Sequence, residues 1–394
     1  MLLKKQMESD IMDYNQIFYP ARFAVGPNSV KELAAFAEKE DFHRALVVTD
    51  GGLVSSSVMA AVVNVLKEAN IHYDMFSDVI PNPSVEIVDA AAAAYQNYNS
   101  DFIVAVGGGS PVDVAKAASL VAANGGSIRH YIGINKTVHP GVPVVAVNTT
   151  AGTGAEVTRF FVLTDHENHT KSITIDDHCL VALAISDPCL MVSLPPEMTA
   201  ATAMDALTHA IEAYCAGTSN PFSDGLALQA IKLIDRALPL VMRNPDNLSA
   251  RTDLCWAASM AGYAFSNSGL GMMHSIGFSI ENFCGIPHGQ AVGMVMPYVM
   301  EYNRKEICDR IADIGAAIGL NDYVTLGART VRHFAQLLYH LPIPTMKEAG
   351  ITAEQLPALA EMAMNDPTLG FNSVQPTLAE MNSVIEWVYC EDMK

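Results

Sequence analysis

Asp205 and His209 stand four residues apart in Thr199–Tyr214, a stretch rich in alanine and free of glycine and proline. On a helix that spacing sends both side chains from one face, one turn apart, among Ala206, Leu207, Ala210 and Ile211. A carboxylate and an imidazole on an apolar face either bond to each other in a core or ligate a cation. A second histidine-bearing stretch, Gly269 to Gly289, turns the balance toward the cation, because it carries His274 and His288. On one straight helix those two would lie about 21 Å apart. Gly285 and Pro287 should break that helix, so that His288 opens a new element folding back toward His274. Asp205, His209, His274 and His288 then make a ligand set of one oxygen and three nitrogens, suited to Fe²⁺, Mn²⁺ or Zn²⁺. Four protein ligands would close a tetrahedral zinc site, whereas an ion taking five or six ligands keeps room for a substrate. Fe²⁺ is therefore expected, with Zn²⁺ or Mn²⁺ as alternatives.

The other histidines (His43, His72, His130, His139, His166, His169, His178, His333 and His340) lie mostly among polar neighbours and read as surface residues. His166 and His169 share a turn with Asp165 and Glu167.

A phosphate site is expected at Gly107-Gly108-Gly109-Ser110-Pro111-Val112-Asp113, between an apolar run and a helical stretch. Ser110 suits the N-cap, Pro111 the first helical position and Asp113 the third. Three glycines let the backbone pass close to a ligand, and the positive end of the helix favours a pyrophosphate. The alternative is a plain corner, and the run is not the G-x-G-x-x-G fingerprint. A second loop, Asn148 to Gly154, offers Thr149 and Thr150. Asp50, ending an earlier apolar run, suits a ribose diol and would repel a 2′-phosphate, which favours NAD over NADP.

The elements that must hold these residues alternate through the first half. Strands are expected at Ala45–Thr49, His72–Phe76, Phe102–Val106 and Val142–Val147, with an opening strand or hairpin over residues 17–26. Helices are expected from Asn28 to Glu40, Ser55 to Asn70, Val85 to Tyr98 and after Gly107 to Asn124. That alternation predicts an α/β domain with a mostly parallel sheet over residues 1–190. From Pro196 onward only helical periodicity is found, and a helix near Thr377 opens with the capping-box pattern Thr377-Leu-Ala-Glu380. Residues 191–394 are read as a helical metal-binding domain, the boundary falling among the prolines at 188–196.

Composition limits the partners. The 394 residues carry a net charge of −19, which opposes nucleic acid and anionic membranes. Half of them are hydrophobic and mean hydropathy is +0.21, so part of the apolar surface is expected between subunits of a homo-oligomer, a dimer or larger. Seven scattered cysteines without a C-x-x-C pair suit reduced thiols in a cytoplasm. The N-terminus has no apolar core long enough for a signal peptide. Leu254 to Ile280 is uncharged over 27 residues, but its serines, glycines, Asn267 and His274 fit a helix buried in a soluble core better than a membrane span.

Several of these stretches, in the same order, resemble the iron-activated (group III) alcohol dehydrogenases, a family that includes lactaldehyde reductases and 1,3-propanediol dehydrogenases. The likeness is carried by Gly107–Lys116, Thr149–Thr158, Thr199–Tyr214, Asn220–Asp224, Ala261–Asn267 and Gly269–Asn303. It implies an N-terminal dinucleotide-binding α/β domain, a helical metal-binding domain, and NAD(H) in the cleft between them. The family's metal ligands map onto Asp205, His209, His274 and His288. Its coenzyme contacts map onto Asp50, Gly108, Gly109, Ser110, Asp113, Thr149, Thr150 and Lys171, and Gly107 is counted with them. The implied chemistry is hydride transfer between NAD(H) and a short primary alcohol or aldehyde of two to four carbons, the ion acting as a Lewis acid on the substrate oxygen. Phe160, Phe265 and Phe278 are expected on the substrate side, and Arg159 is a candidate attractor of an anionic aldehyde.

The chain departs from the family pattern at Phe278, where many members have a histidine given a proton-transfer role. Ala203 stands in place of Gly, Asn148 in place of Pro, and Asn372-Ser373-Val374 in place of Asn-Pro-Arg. The rival readings are a zinc enzyme of the glycerol dehydrogenase or dehydroquinate synthase type, and a non-catalytic protein that binds metal and nucleotide.

Overall fold

The computed structural model describes Ile17 and residues 22–165 and 170–390; for Asp165, Thr170 and Lys171 it describes the backbone alone. The short apolar runs become the parallel strands β1 (Phe23–Val25), β2 (Arg44–Asp50), β3 (His72–Val79), β4 (Phe102–Gly107), β5 (Val144–Asn148) and, after a separate hairpin, β8 (Leu183–Ser186). Their order in the sheet is β1-β8-β5-β4-β2-β3. Where an opening strand or hairpin is expected over residues 17–26, the strand β1 is seen, and residues 18–21 lie outside the described part. Every residue of β4 and β5 is buried, which requires cover on both faces and explains their near-continuous Val, Ile and Ala composition.

Helices α1 (Glu32–Glu40) and α2 (Ser57–Glu68) share one core with Ala45, Val47, Phe102, Val104, Val106, Val145 and Val147. The alternate residues Leu46, Val48, Ile103 and Ala105 are buried on the opposite face, the side of α3 (Val85–Tyr98) and α4 (Gly109–Asn124). Ser56 and Ser84 cap α2 and α3 through their hydroxyls. Asn28 caps nothing: it sits at φ 65°, and the first turn after it is a 3-10 turn, Ser29–Lys31.

Strands β6 (Phe160–Asp165) and β7 (Thr170–Ile175) form an antiparallel pair apart from the main sheet. This hairpin was not foreseen. Its apolar run, Phe160–Leu163, is only four residues long and its second strand is mostly polar; along β6 Phe161 and Leu163 are buried while Val162 is only partly so.

After β8 the described residues form no further strand, only an isolated bridge between Ala216 and Asn372. The helices are α5 (Pro196–Cys215), α6 (Pro221–Arg243), α7 (Leu248–Ser266), α8 (Met272–Cys284), α9 (His288–Ala317), α10 (Ala328–Tyr339), α11 (Leu356–Asn365) and α12 (Leu378–Cys390). Helix α5 is buried on all sides from Ala203 to Cys215, which its alanines permit. Thr377 and Glu380 close the capping box of α12: Thr377 N donates to Glu380 Oε2 at 2.7 Å, and Glu380 N to Thr377 Oγ1 at 3.3 Å.

The uncharged stretch Leu254–Ile280 is not one helix, because Gly269, at φ +91°, lies in a break between α7 and α8. Among the described residues no helix is long and apolar enough to cross a membrane.

The chain divides into two compact units. The α/β unit holds Phe18–Leu194 together with Asp246–Cys255; the helical unit holds Pro195–Pro245 and Trp256–Lys394. The first turns of α7 thus return to the α/β unit, where Cys255 Sγ meets Met191 Sδ at 3.5 Å and Arg251 Nη2 donates to Val192 O at 3.4 Å.

Candidate metal centre

Three helices converge on one carboxylate oxygen. Asp205 and His209 leave the same face of α5, and Asp205 Oδ1 lies 3.5 Å from His209 Nε2. His274, on the first turns of α8, brings Nε2 to 3.8 Å from that oxygen, and His288, the first residue of α9, brings Nε2 to 3.7 Å. Atoms about 2.1 Å from one ion at tetrahedral angles would lie about 3.4 Å apart. Asp205, His209 and His274 offer ligand atoms all within 4.8 Å of one another, and all three are buried.

Local sequence accounts for the approach. Gly285, at φ 68°, ends α8, and Pro287 precedes His288, so the chain reverses between His274 and His288. Helix α9 then reaches α5 at Gly289, where a Cβ would stand 2.0 Å from the Ala201 carbonyl oxygen and 3.2 Å from Asp205 Cβ. Helices α8 and α9 also touch at Gly277, where a Cβ would meet Val292 Cγ1 at 2.4 Å. Side chains at these positions would push the ligand-bearing helices apart.

The electrostatics fit a cation. Asp205 Oδ1 and His274 Nε2 are buried and have no hydrogen-bond partner in the protein, a costly state unless another group takes their lone pairs. Burial alone would raise the Asp205 pKa, but His209 first, then His274 and His288, hold it well below the usual carboxylate range. Burial disfavours a charged His274, yet Glu212 and Asp205 outweigh it and raise that imidazole's pKa to about 9. A divalent ion would supply the positive charge that protons otherwise bring to this site.

Two carboxylates behind the imidazoles escaped the sequence reading. Glu212 Oε2 lies 2.6 Å from His274 Nδ1, and its other oxygen accepts from Met273 N. Glu281 Oε2 lies 3.2 Å from His288 Nδ1. Each carboxylate would hold its partner's proton on Nδ1 and leave Nε2 free to ligate. A signal existed: Glu212 is seven residues after Asp205 and Glu281 seven after His274, so each shares a helix face with a ligand.

Of the expected substrate-side rings, Phe265 stacks on His209 with centroids 4.2 Å apart, and Phe278 stacks on His288 at 4.7 Å. Phe160 opens β6, where its carbonyl accepts from the buried Lys116 Nζ at 2.8 Å. Arg159 is committed to Asp177, Nη1 to Oδ1 at 2.9 Å, which argues against its reading as an anion attractor.

Of the expected coenzyme residues, Asp50, Gly107, Gly108, Gly109, Ser110, Thr149 and Thr150 lie at or just after the carboxyl ends of β2, β4 and β5, which are neighbours in the sheet. The chain steps outward from β2 to β3 and then returns to the other side of β2 with β4, so the winding reverses between β2 and β4. Asp50 and Gly107 end those two strands, which is where open α/β sheets bind ligands. Thr149 N donates to Gly107 O at 2.9 Å. Cβ atoms at Gly108 and Gly109 would touch Thr150 Oγ1 at 3.3 Å and Thr153 Cγ2 at 3.1 Å, so the two loops are packed on one another. Asn148 donates to Ser186 Oγ at 2.9 Å, a partner a proline there could not have. Asp50 Oδ1 accepts from Gly52 N and Leu53 N.

Two expectations are corrected. Ser110 is not the N-cap, since α4 starts at Gly109 after an extended Gly108, which has no side chain to cap with. Asp113 therefore falls a turn into the helix, where its carboxylate accepts from Val162 N in the hairpin at 3.0 Å. The Lys171 side chain lies outside the described part, as do His166 and His169.

Two family profiles match the chain, iron-containing alcohol dehydrogenase over residues 20–188 and the C-terminal part of the Fe-containing alcohol dehydrogenase family over residues 199–389. Alcohol dehydrogenase 4 of Saccharomyces cerevisiae is 35% identical over 366 residues, 92% of this chain and 96% of that protein. The crystal structure of a 1,3-propanediol oxidoreductase superposes with a TM-score of 0.93 at 34% identity, over 95% of this chain and 100% of that one. That of sulfoacetaldehyde reductase from Bifidobacterium kashiwanohense, solved in complex with NAD⁺, gives 0.88 at 30% identity, over 97% and 100%.

Proposed function

The chain belongs to the iron-containing alcohol dehydrogenase family, and from that premise we propose its chemistry in detail. It is an oxidoreductase that moves a hydride between NAD(H) and a short primary alcohol or aldehyde of two to four carbons, with Fe²⁺ held by Asp205, His209, His274 and His288. The observation that carries this reading is the buried Asp205 Oδ1, ringed by three imidazole Nε2 atoms at 3.5–3.8 Å and without a protein hydrogen bond. When bound, the ion supplies Lewis acidity toward the substrate oxygen and the coenzyme supplies or accepts the hydride.

The protein's own part is placement. Glu212 fixes the tautomer and tilt of His274, while the stacked ring of Phe265 fixes the plane of the His209 imidazole and keeps water from one of its faces. Phe278 keeps water from one face of His288 but holds no exchangeable proton, so proton transfer needs a different carrier from the histidine many relatives have there. For the coenzyme we assign the backbone of Gly107, Gly108 and Gly109 with Ser110, Thr149 and Thr150 to the pyrophosphate, and the second oxygen of Asp50 to a ribose diol. Lys171 remains part of this assignment.

We place the enzyme in a reducing compartment, the cytoplasm, as a homo-oligomer. Seven free cysteines support the first and the exposed apolar loop of Tyr323, Val324 and Leu326 the second. The deciding experiment is a panel of two- to four-carbon aldehydes and alcohols with NADH or NAD⁺, using anaerobically iron-loaded protein and elemental analysis of the same sample. Turnover that tracks iron content is expected. Loaded protein that turns over none of the panel would overturn the proposal.

A further inference from the structure

His288 is the least enclosed of the three imidazoles around Asp205 Oδ1. Its side chain is 26% exposed, against 6% for His209 and 1% for His274. It is also the first residue of its helix, so no preceding turn of α9 restrains it. Such an imidazole needs outside contacts to keep Nε2 on target, because rotation about its side-chain bonds would swing that atom away.

Helix α8 supplies those contacts. His274, Phe278 and Glu281 fall at positions i, i+4 and i+7, one stripe of a single helix. The first presents its own Nε2 to Asp205. The other two address His288: the Phe278 ring lies 4.7 Å from it at an interplanar angle of 25°, and Glu281 Oε2 lies 3.2 Å from Nδ1. Stacking fixes the plane of the imidazole. A hydrogen bond at Nδ1 fixes its rotation within that plane and places the proton on Nδ1. The Glu281 side chain is only 10% exposed, so little water competes for its contact with Nδ1.

We propose that Glu281 is a positioning residue for His288, acting with the Phe278 ring so that α8 aims the ligand of the next helix as well as its own. This rests on the four-ligand reading above. Glu281 touches no reacting atom; it sets how firmly the fourth ligand closes on the ion. The chain thereby ties its metal affinity to the α8–α9 junction as well as to α5.

The test uses full-length apoprotein titrated with Co²⁺, whose visible absorption reports ligand number and geometry. The variants are Glu281→Gln, which keeps an oxygen acceptor for Nδ1–H, and Glu281→Leu, which removes it while filling the space. His288→Ala serves as the reference for a site lacking that ligand. Glu281→Leu should bind Co²⁺ about 10- to 100-fold more weakly and shift its spectrum toward that of His288→Ala, while Glu281→Gln recovers most of both. If Glu281→Leu fails to fold by circular dichroism, Glu281→Ser, too short to reach Nδ1, takes its place with the same expectation. Wild-type affinity and spectrum in the acceptor-free variant would overturn the proposal. If His288→Ala also matched the wild type, the proposal would fall because the four-ligand reading had failed, not because Glu281 is idle.

Discussion

Gly289 lies so close to the carbonyl of Ala201 that a side chain has no room: a Cβ at 289 would stand 2.0 Å from that oxygen. Residue 289 follows one ligand and residue 201 lies one turn before another, so this contact sets the distance between His288 and Asp205. Gly289→Ala should push α9 off α5. Overpacking of this kind costs about 1–3 kcal/mol, and the larger loss should be in bound metal. Elemental analysis and thermal melting of the purified variant check it; full metal content with an unchanged melting temperature would contradict this account.

The Phe278 ring occupies a place where an imidazole would give the active site a titratable group. Phe278→His should keep the stacking on His288 and add a proton carrier. A positioned acid–base group is worth about 10²–10⁴ in rate, so the pH–rate profile should gain a limb near neutrality even if the maximal rate rises less. A profile superimposable on the wild type's would show that proton transfer does not pass this position.

Asp205 Oδ1 and His274 Nε2 have no protein hydrogen-bond partner, so stability should depend on what fills the space between them. Anaerobic treatment with a chelator should lower the melting temperature, and adding back Fe²⁺ should restore it. Binding to the folded state alone adds about 2.7 kcal/mol when free metal stands at 100 times its dissociation constant. Asp205→Asn should blunt the response. A melting temperature indifferent to chelator in the wild type would count against a metal at this site.

Asp113 gives a pH-dependent stability away from the metal. Burial raises its pKa to about 6, with Lys116 and the Val162 amide pulling the other way. Because the folded value lies above the unfolded one, the folded state binds more protons between about pH 4 and 6, and stability falls as pH rises through that window. Asp113→Asn removes the ionisation. Measured against the wild type, the variant should gain stability between pH 4 and pH 8, by at most about 3 kcal/mol, since the residue keeps some exposed surface. An equal difference at both pH values would refute the assignment.

The parts of the molecule legible in its sequence are those fixed locally. Gly285 and Pro287 act on their own backbone, so the reversal that returns His288 toward His274 could be read from residue types. The buried strands β2, β4 and β5 announce themselves as apolar runs because both faces are covered. Ser110 misled because glycine can end a strand and begin a helix within two residues, which shifted the start of α4 forward and carried Asp113 to the hairpin. Glu212 and Glu281 escaped notice since a glutamate on a helix ordinarily reads as a solvated side chain. Only the packing of α8 against its neighbours turns them toward imidazoles. The hairpin β6–β7 does not stand out in the sequence because its one apolar run, Phe160–Leu163, is short and its second strand, Thr-Lys-Ser-Ile-Thr-Ile, is mostly polar.

Asp246–Cys255 belongs with residues some fifty positions earlier, and this decides how the chain can be dissected. A gene fragment stopping at residue 194 would omit the segment whose Cys255 thiol and Arg251 guanidinium meet Met191 and the Val192 carbonyl. The piece so excised would bare a sticky apolar seam, and its insolubility would say nothing about nucleotide affinity. Anyone wishing to study the α/β half by itself should graft 246–255 back through a short tether.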